Sequence, residues 1–123
     1  DSMIEHYYKK HGLLRISEFL KRNTWLTDNE IKLFISALSR YGQKFLEDLQ
    51  NLLDIKFNYG FSWNNILWLY SQGIKSVEKI TEDVFRLAEK ELKGIYKTHF
   101  KKAYRKILQE REREKYFFYN LYP

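Results

Sequence analysis

The chain of 123 residues has no cysteine, and its only proline, Pro123, is the last residue. Without cysteine the chain can form neither a disulfide framework nor a thiolate zinc site, which is compatible with a reducing compartment. It also lacks any apolar run of the roughly 20 residues that a membrane-spanning helix needs, and no signal peptide opens it. We therefore expect no disulfide, no thiolate metal site and no membrane partner.

Residue patterns that carry catalysis are also missing. The histidines His6, His11 and His99 are scattered along the chain. No Ser-His-Asp order, glycine-rich phosphate loop or HExxH motif is present. The pair Glu82-Asp83 is explained more simply as the acidic first turn of a capped helix. We expect no enzyme activity, no catalytic residue, no metal site and no cofactor.

The residues that are present predict an all-α fold. The chain is 44% hydrophobic and 18% aromatic, and its length fits one domain, residues 1–123, around a single core. Apolar residues recur at helical spacing nearly throughout, and no strand-like alternation of useful length appears. We expect a compact domain of about six helices that ends in a long basic helix.

Capping residues and glycines predict where these helices begin and end. The expected helical segments are 4–10, 16–21, 27–42, 45–53, 62–73 and one long helix from 81 to about 115, kinked or split at Gly94. Thr27 and Glu30 form a capping-box pattern. Ser62, Ser76 and Thr81 are further N-cap candidates, and residues 54–61 are the one expected loop of any length.

The positive charge of the chain is concentrated at its C-terminal end. Residues 1–60 hold nine Lys/Arg against eight Asp/Glu, residues 61–96 hold five against five, and residues 97–123 hold eight against three. The net charge of +6 therefore arises mostly from the last segment. A localised basic segment is the usual footprint of a polyanionic partner.

Five cations lie within a stretch of thirteen residues, 97–109, that contains no acid: Lys97, Lys101, Lys102, Arg105 and Lys106. Lys97, Lys101 and Arg105 follow one another at four-residue steps, so a helix places them on one side. Several phosphate contacts from such a side give strong, salt-dependent binding. We expect these residues to bind nucleic acid; a solvated face and an acidic protein partner are the alternatives.

An aromatic tail follows the basic helix. Its rings are Tyr116, Phe117, Phe118, Tyr119 and Tyr122. Exposed rings in a row favour aggregation unless something covers them. We expect the tail to fold back on the core or to mediate self-association into a homo-oligomer, and stacking on unpaired bases is the alternative.

The region from Phe19 to Lys79 carries a series of motifs in a recognisable order. They are LTDNE at 26–30, RYG at 40–42, YGF at 59–61, NNILWLY at 64–70 and GIKSVE at 73–78. In their order and spacing these motifs resemble the C-terminal domain of the DnaD/DnaB-type primosome proteins of low-GC Gram-positive bacteria and their phages. The resemblance spans about residues 19–79, and the basic helix and aromatic tail, residues 82–123, follow it.

The resemblance implies a helical, non-catalytic module that binds single- or double-stranded DNA during replication initiation, where the replicative helicase is loaded. In that family the last motif helix and the segment after it contact DNA. Carried over to this sequence, the DNA-binding positions are Trp63, Trp68, Tyr70, Lys75 and Lys79, in addition to the basic helix. The implied location is cytoplasmic and nucleoid-associated, with a replicative helicase or another replication protein as the partner.

Three alternatives remain open. Residues 26–53 also resemble the first two helices of a SANT/Myb-like module, which would imply a chromatin-associated nuclear protein. A third helix would then have to follow quickly, and the expected loop at 54–61 stands between. Residues 73–94 have the rhythm of a helix-hairpin-helix element. Finally, the basic helix and the tail would also suit a protein-interaction module that docks on an acidic surface.

Overall fold

The computed structural model describes the backbone of residues 3–121 and the side chains of residues 3–118 except that of Leu14. Within this part of the chain there are seven α-helices, one 3-10 turn and no strand. The helices are α1 (Met3–His11), α2 (Leu13–Asn23), α3 (Asp28–Tyr41), α4 (Gln43–Tyr59), α5 (Trp63–Ser71), α6 (Glu82–Glu91) and α7 (Gly94–Leu121), and the 3-10 turn is Val77–Lys79. The expected all-α class is confirmed, with one helix more than expected.

The additional helix arises because the long C-terminal helix is divided at Gly94. After α6, Leu92 adopts an extended conformation (φ −82°, ψ 150°), and Gly94 has a φ of 58°. In one continuous helix, Phe85 and Tyr104 would lie about 28 Å apart, at 1.5 Å per residue. Instead, their rings stack with centroids 4.5 Å apart. Folding α7 back on α6 lets both apolar faces reach the same core, which an unbroken helix would prevent.

Three of the four predicted N-caps form, whereas Ser76 precedes the 3-10 turn without a capping hydrogen bond from its side chain. The Thr27 hydroxyl accepts from the Glu30 backbone N–H, and the Glu30 carboxylate accepts from the Thr27 backbone N–H, which completes the capping box of α3. Ser62 and Thr81 cap α5 and α6 with the hydroxyl only, each accepting from the backbone N–H three residues on. Each cap satisfies helix N–H groups that have no partner within the helix.

The expected loop at 54–61 is wrong, because α4 continues to Tyr59. Ile55 and Tyr59 extend the apolar stripe of α4 by one more turn and are buried. Gly60 ends the helix in the left-handed conformation (φ 79°, ψ 28°) that glycine adopts most readily. Only three residues, 60–62, therefore connect α4 to α5.

The short connection allows α3, α4 and α5 to pack against one another as a three-helix unit. Phe34 of α3 is central to it, because its ring meets the rings of Phe45 and Trp63 edge to face, at centroid distances of 5.0 and 6.0 Å. The pair α1–α2 packs against α3 and α4, whereas α7 packs against α4, α5 and α6. One continuous core joins buried residues from α2 through α7.

Candidate nucleic-acid interface

The apolar face of α7 is anchored in the core by a cluster of rings. Phe100 is almost fully buried, and its ring lies 5.3 Å from that of Phe61, 5.7 Å from that of Trp68 and 6.4 Å from that of Phe85. Tyr104, one turn further along α7, stacks on Phe85. Aromatic pairs in these arrangements contribute about 0.5–1.5 kcal/mol each beyond their buried area. The orientation of α7 about its own axis is thereby fixed.

Two polar contacts hold α7 at points far apart along its length. The Asn65 side chain donates from Nδ2 to the backbone carbonyl of Tyr96, at 3.0 Å. Arg111 donates from Nη2 to the carbonyl of Val77 in the 3-10 turn, also at 3.0 Å. The two contacts lie about 22 Å apart along the helix, at 1.5 Å per residue. The intervening turns, which include all five cations, are thus held against the body of the protein.

The first acid after the basic stretch is directed toward the body. Tyr59 donates its hydroxyl to both carboxylate oxygens of Glu110, each at 2.9 Å. Burial, followed by the hydrogen bond to Glu110, raises the pKa of Tyr59 to about 12. The Glu110 charge is therefore engaged with α4 and is drawn away from the outer side of α7.

The solvent side of α7 carries the five cations, which we call the cationic face: Lys97, Lys101, Lys102, Arg105 and Lys106. Lys102, Arg105 and Lys106 are exposed, whereas Lys97 and Lys101 are half-buried. Among the described residues, Lys101 is the only member with a carboxylate within ion-pair distance. Four of the five charges are thus available to an external anion.

The two edges of the cationic face lie against different neighbours. On one edge, Lys101 Nζ lies 3.6 Å from Glu89 Oε2 of α6, and both side chains are about half exposed. On the other edge, Lys106 Nζ lies 3.5 Å from the position that a Cβ atom would occupy at Gly60. The cationic face therefore extends across α7 from α6 to the α4–α5 connection.

The two lysines before α6 lie in different surroundings. Lys75 Nζ is 3.5 Å from Asp48 Oδ1 on α4, so its charge is partly balanced. Lys79 is exposed in the 3-10 turn, two residues from the Val77 carbonyl that binds Arg111. The structure thus brings the Lys79 turn to the distal part of α7 and directs Lys75 toward α4. DNA contact by either lysine stays a prediction.

Most of the surface of the aromatic residues suggested by the resemblance is packed against other parts of the protein. Trp63 and Tyr70 are each only 7% exposed, so neither ring offers a face to a nucleotide base. Trp68 is half-buried; its indole Nε1 donates to Glu91 Oε1 at 3.0 Å, and its ring meets Phe100 edge to face. These contacts explain Trp68 as a residue that joins α5 to α6 and α7, and base stacking by Trp68 stays a prediction.

The described rings of the aromatic tail do not pack on the core. Helix α7 continues through this segment, and Tyr116, Phe117 and Phe118 are 71%, 63% and 58% exposed. For these three rings, fold-back onto the core is therefore not what the structure shows. The side chain of Tyr119 and all of Tyr122, which belong to the same prediction, lie outside the described residues.

Sequence reasoning missed the residues that border the cationic face and a second aromatic surface elsewhere. Glu89 and Gly60 lie 12 and 46 positions from their cationic neighbours in α7. Trp25 and Phe57 are 103% and 73% exposed, next to a common cavity. Phe57 lies outside the buried apolar face of α4. Its exposure would have been predictable if the helix had been extended through Tyr59.

No protein family, curated protein or solved structure matches this chain. The resemblances to primosome and SANT-like domains therefore stay predictions. Residues 3–121 include no helix with the length and apolarity needed to cross a membrane. In the same part of the chain, no group of histidine and acidic side chains has the arrangement of a metal site.

Proposed function

We propose that this protein is a non-catalytic DNA-binding module that binds the phosphate backbone through the cationic face of α7. One observation carries the proposal: four of the five cations have no carboxylate within ion-pair distance among the described residues, and they stand on a helix fixed to the core at both ends of the basic stretch. Because the backbone of α7 is already ordered by these contacts, binding an extended polyanion costs conformational freedom only in the lysine and arginine side chains.

The spacing of the cations suits a backbone that runs along or across α7. Residues four apart on a helix lie about 6 Å from one another, so Lys102 and Lys106 can meet neighbouring phosphates. Four phosphate contacts predict a slope of log affinity against log salt of about −2.8 for single strands and about −3.6 for duplex DNA. Contacts of this kind position DNA without reading its sequence, so we expect little sequence preference.

The resemblance of residues 19–79 to primosome proteins supports a role in replication initiation, as one module of a helicase-loading protein. On this proposal, the protein works in the cytoplasm at the nucleoid, and a replicative helicase or another replication protein is its partner. No residue of this chain is assigned a catalytic part, because DNA binding and protein contact are all that such a module contributes to loading.

One observation favours a second candidate. The packing of α5 as the third member of the α3–α5 unit, after a connection of only three residues, is the arrangement that a SANT-like chromatin module requires. In that case the protein would be nuclear, and its cationic face could meet either DNA or an acidic protein surface. A three-helix unit is shared by many DNA-binding folds, so this packing supports DNA as a partner under either candidate function.

The test removes three charges that the structure leaves unpaired. In the face variant, Lys102→Gln, Arg105→Gln and Lys106→Gln are combined, and Lys101 is left in place because it pairs with Glu89. The matched control combines Arg15→Gln, Lys32→Gln and Lys44→Gln, three exposed residues of α2, α3 and α4. Both variants have the same net charge, so a general charge effect is equal in the two.

Binding to fluorescent single-stranded and duplex oligonucleotides is measured by anisotropy over a salt series. We expect the face variant to lose about tenfold or more in affinity at low salt, and its salt slope to fall by about 2.1 for single strands and about 2.7 for duplex DNA. The control should stay within about threefold of the wild type. Equal behaviour of the two variants would contradict the proposal. Absence of DNA binding by the wild type at low salt would overturn it in favour of a protein-interaction module.

A further inference from the structure

An apolar cavity of about 480 Å³ opens between α1, the α2–α3 connection and α4. We call it the aromatic groove, and its main lining residues are Trp25, Leu26, Phe34, Leu53, Phe57 and Trp63. Trp25 and Phe57 are 103% and 73% exposed, whereas Phe34 and Trp63 are buried beneath them. Exposed aromatic residues beside an apolar pocket are the usual anchors of a protein–protein contact.

The groove contains one charge that is not paired with an opposite charge, and that charge is positive. Lys56 Nζ lies 5.0 Å from the centre of the Phe57 ring and 5.7 Å from that of Trp63. In the described part of the chain, no carboxylate is within ion-pair distance of it. The other charge in the groove, Glu30, is used in the capping box of α3. The preferred occupant of the groove is therefore apolar and carries a carboxylate.

The end of α7 has this chemistry. Beyond Arg111, whose guanidinium donates to the Val77 carbonyl, all described side chains from 112 to 118 are exposed. This segment, which we call the arm, is residues 112–121; it is helical and about 15 Å long at 1.5 Å per residue. Glu114 and Phe117 are three residues apart, so they share one side of the helix, and Phe118 is next to them.

We propose that the arm of one copy of this chain docks in the aromatic groove of a second copy. Phe117 and Phe118 enter between Trp25 and Phe57, and Glu114 pairs with Lys56. A copy does not fill its own groove, since the arm's rings are exposed while α7 runs on as a continuous helix. The carboxylate and the rings of the arm thus match the lysine and the rings of the groove in chemistry.

The buried area is sufficient if the exchange is reciprocal. Each of the four rings at one contact, two from the arm and two from the groove, offers about 100–200 Å² in its exposed state. If all of this area is covered, one contact buries roughly 400–800 Å² and two contacts related by a two-fold axis bury about 800–1,600 Å², the upper half of which overlaps the range of about 1,200–2,000 Å² for specific interfaces. A two-fold exchange also closes the assembly, whereas one-way docking would extend into a chain of copies.

The test is a charge swap measured by sedimentation of the full chain without DNA. Lys56→Glu and Glu114→Lys should each weaken self-association by about fivefold or more, because each places like charges opposite one another. The double variant, Lys56→Glu with Glu114→Lys, should recover to within about twofold of the wild type, since the pair is restored with its sign reversed. Circular dichroism checks that every variant folds.

A second pair of variants tests the apolar contact. Phe57→Glu removes a ring of the groove and Phe117→Glu removes a ring of the arm, and both positions are exposed, so the fold should persist. Each variant should be largely monomeric at concentrations where the wild type associates. A wild type that stays monomeric at all concentrations would overturn the inference. Self-association that requires Phe117 but is unaffected by Phe57→Glu would overturn it too, in favour of pairing between arms.

The inference and the proposed DNA binding can fail separately. The face variant at Lys102, Arg105 and Lys106 leaves both groove and arm intact, so it should self-associate like the wild type. Conversely, Phe57→Glu alters a residue outside α7 and should leave the DNA affinity of the monomer within about threefold of that of the wild type. Weaker self-association of the face variant, or a larger loss of DNA affinity in Phe57→Glu, would show that one surface binds both partners. Either result would contradict two separate binding surfaces.

Discussion

Glu89→Gln should increase DNA affinity. Glu89 is the one described carboxylate within ion-pair distance of the cationic face, where its Oε2 lies 3.6 Å from Lys101 Nζ. In the wild type, a phosphate must compete with this carboxylate for Lys101. The amide of glutamine has the same shape but no charge, so Lys101 joins the four cations that are already unpaired.

The size of the effect follows from the geometry of the pair. Both side chains are about half exposed, at 44% and 40%, so the pair is largely screened by solvent. At such a distance in water the interaction is about 1 kcal/mol, which corresponds to about fivefold in affinity. A fifth phosphate contact should also steepen the salt slope by about 0.7 for single strands and about 0.9 for duplex DNA. Exposed pairs contribute at most about 1 kcal/mol to stability, so the fold should be retained.

The assay is anisotropy with labelled oligonucleotides over a salt series, with Glu18→Gln as the control. Glu18 is an exposed residue of α2, a helix that packs on α1 and α3, and its removal changes the net charge equally. We expect Glu18→Gln to bind DNA within about twofold of the wild type. If Glu89→Gln gains no more than Glu18→Gln, or loses affinity while folded, the assignment of phosphate contact to this part of α7 is refuted.

The remaining predictions concern stability. Thr27→Ala removes the capping box of α3 and should lower the free energy of unfolding, measured in urea, by about 1 kcal/mol. Thr27→Ser keeps a hydroxyl and should retain most of the stability that the cap provides. Equal stabilities of the wild type and Thr27→Ala would contradict a role for the cap. Tyr59 has a folded pKa of about 12 against an ordinary value of 10.0. The stabilisation that the protonated Tyr59 hydroxyl gives the folded state is complete below pH 10. It is lost as the pH rises toward 12, because the unfolded state loses the phenolic proton first. The free energy of unfolding of the wild type should therefore exceed that of Tyr59→Phe by about 1.4 kcal/mol less at about pH 11, one unit above the ordinary tyrosine pKa, than below pH 10. Urea titrations at several pH values measure this difference, and a difference that does not change with pH would contradict the raised pKa.

Local sequence signals predicted most of the helix boundaries. Thr27, Ser62 and Thr81 were recognisable as caps because a cap depends on residues three positions away. The error at 54–61 has a physical cause: Asn58, Tyr59 and Gly60 resemble a turn, yet burial of Tyr59 against α7 outweighs that local preference. The division at Gly94 was one of two predicted possibilities, and the packing of α7 against α6 decides between them.

The candidate site shows the same division between local and long-range information. Four-residue steps placed Lys97, Lys101 and Arg105 on one side of α7, where Arg105 is exposed and the two lysines are half-buried. The partners Glu89 and Asp48 were not predictable, because they come from other helices whose packing angles a single sequence does not specify. The aromatic groove was missed for the same reason, since it is assembled from α1, α3, α4 and α5 together with the α2–α3 connection.

An NMR titration of the isotope-labelled chain with a short oligonucleotide tests the central claim most directly, because it reports the DNA contact residue by residue. We predict that the largest shifts fall on residues 97–109, and that they diminish as salt is added. Shifts confined to α1–α3, or a spectrum that DNA leaves unchanged at low salt, would contradict the account.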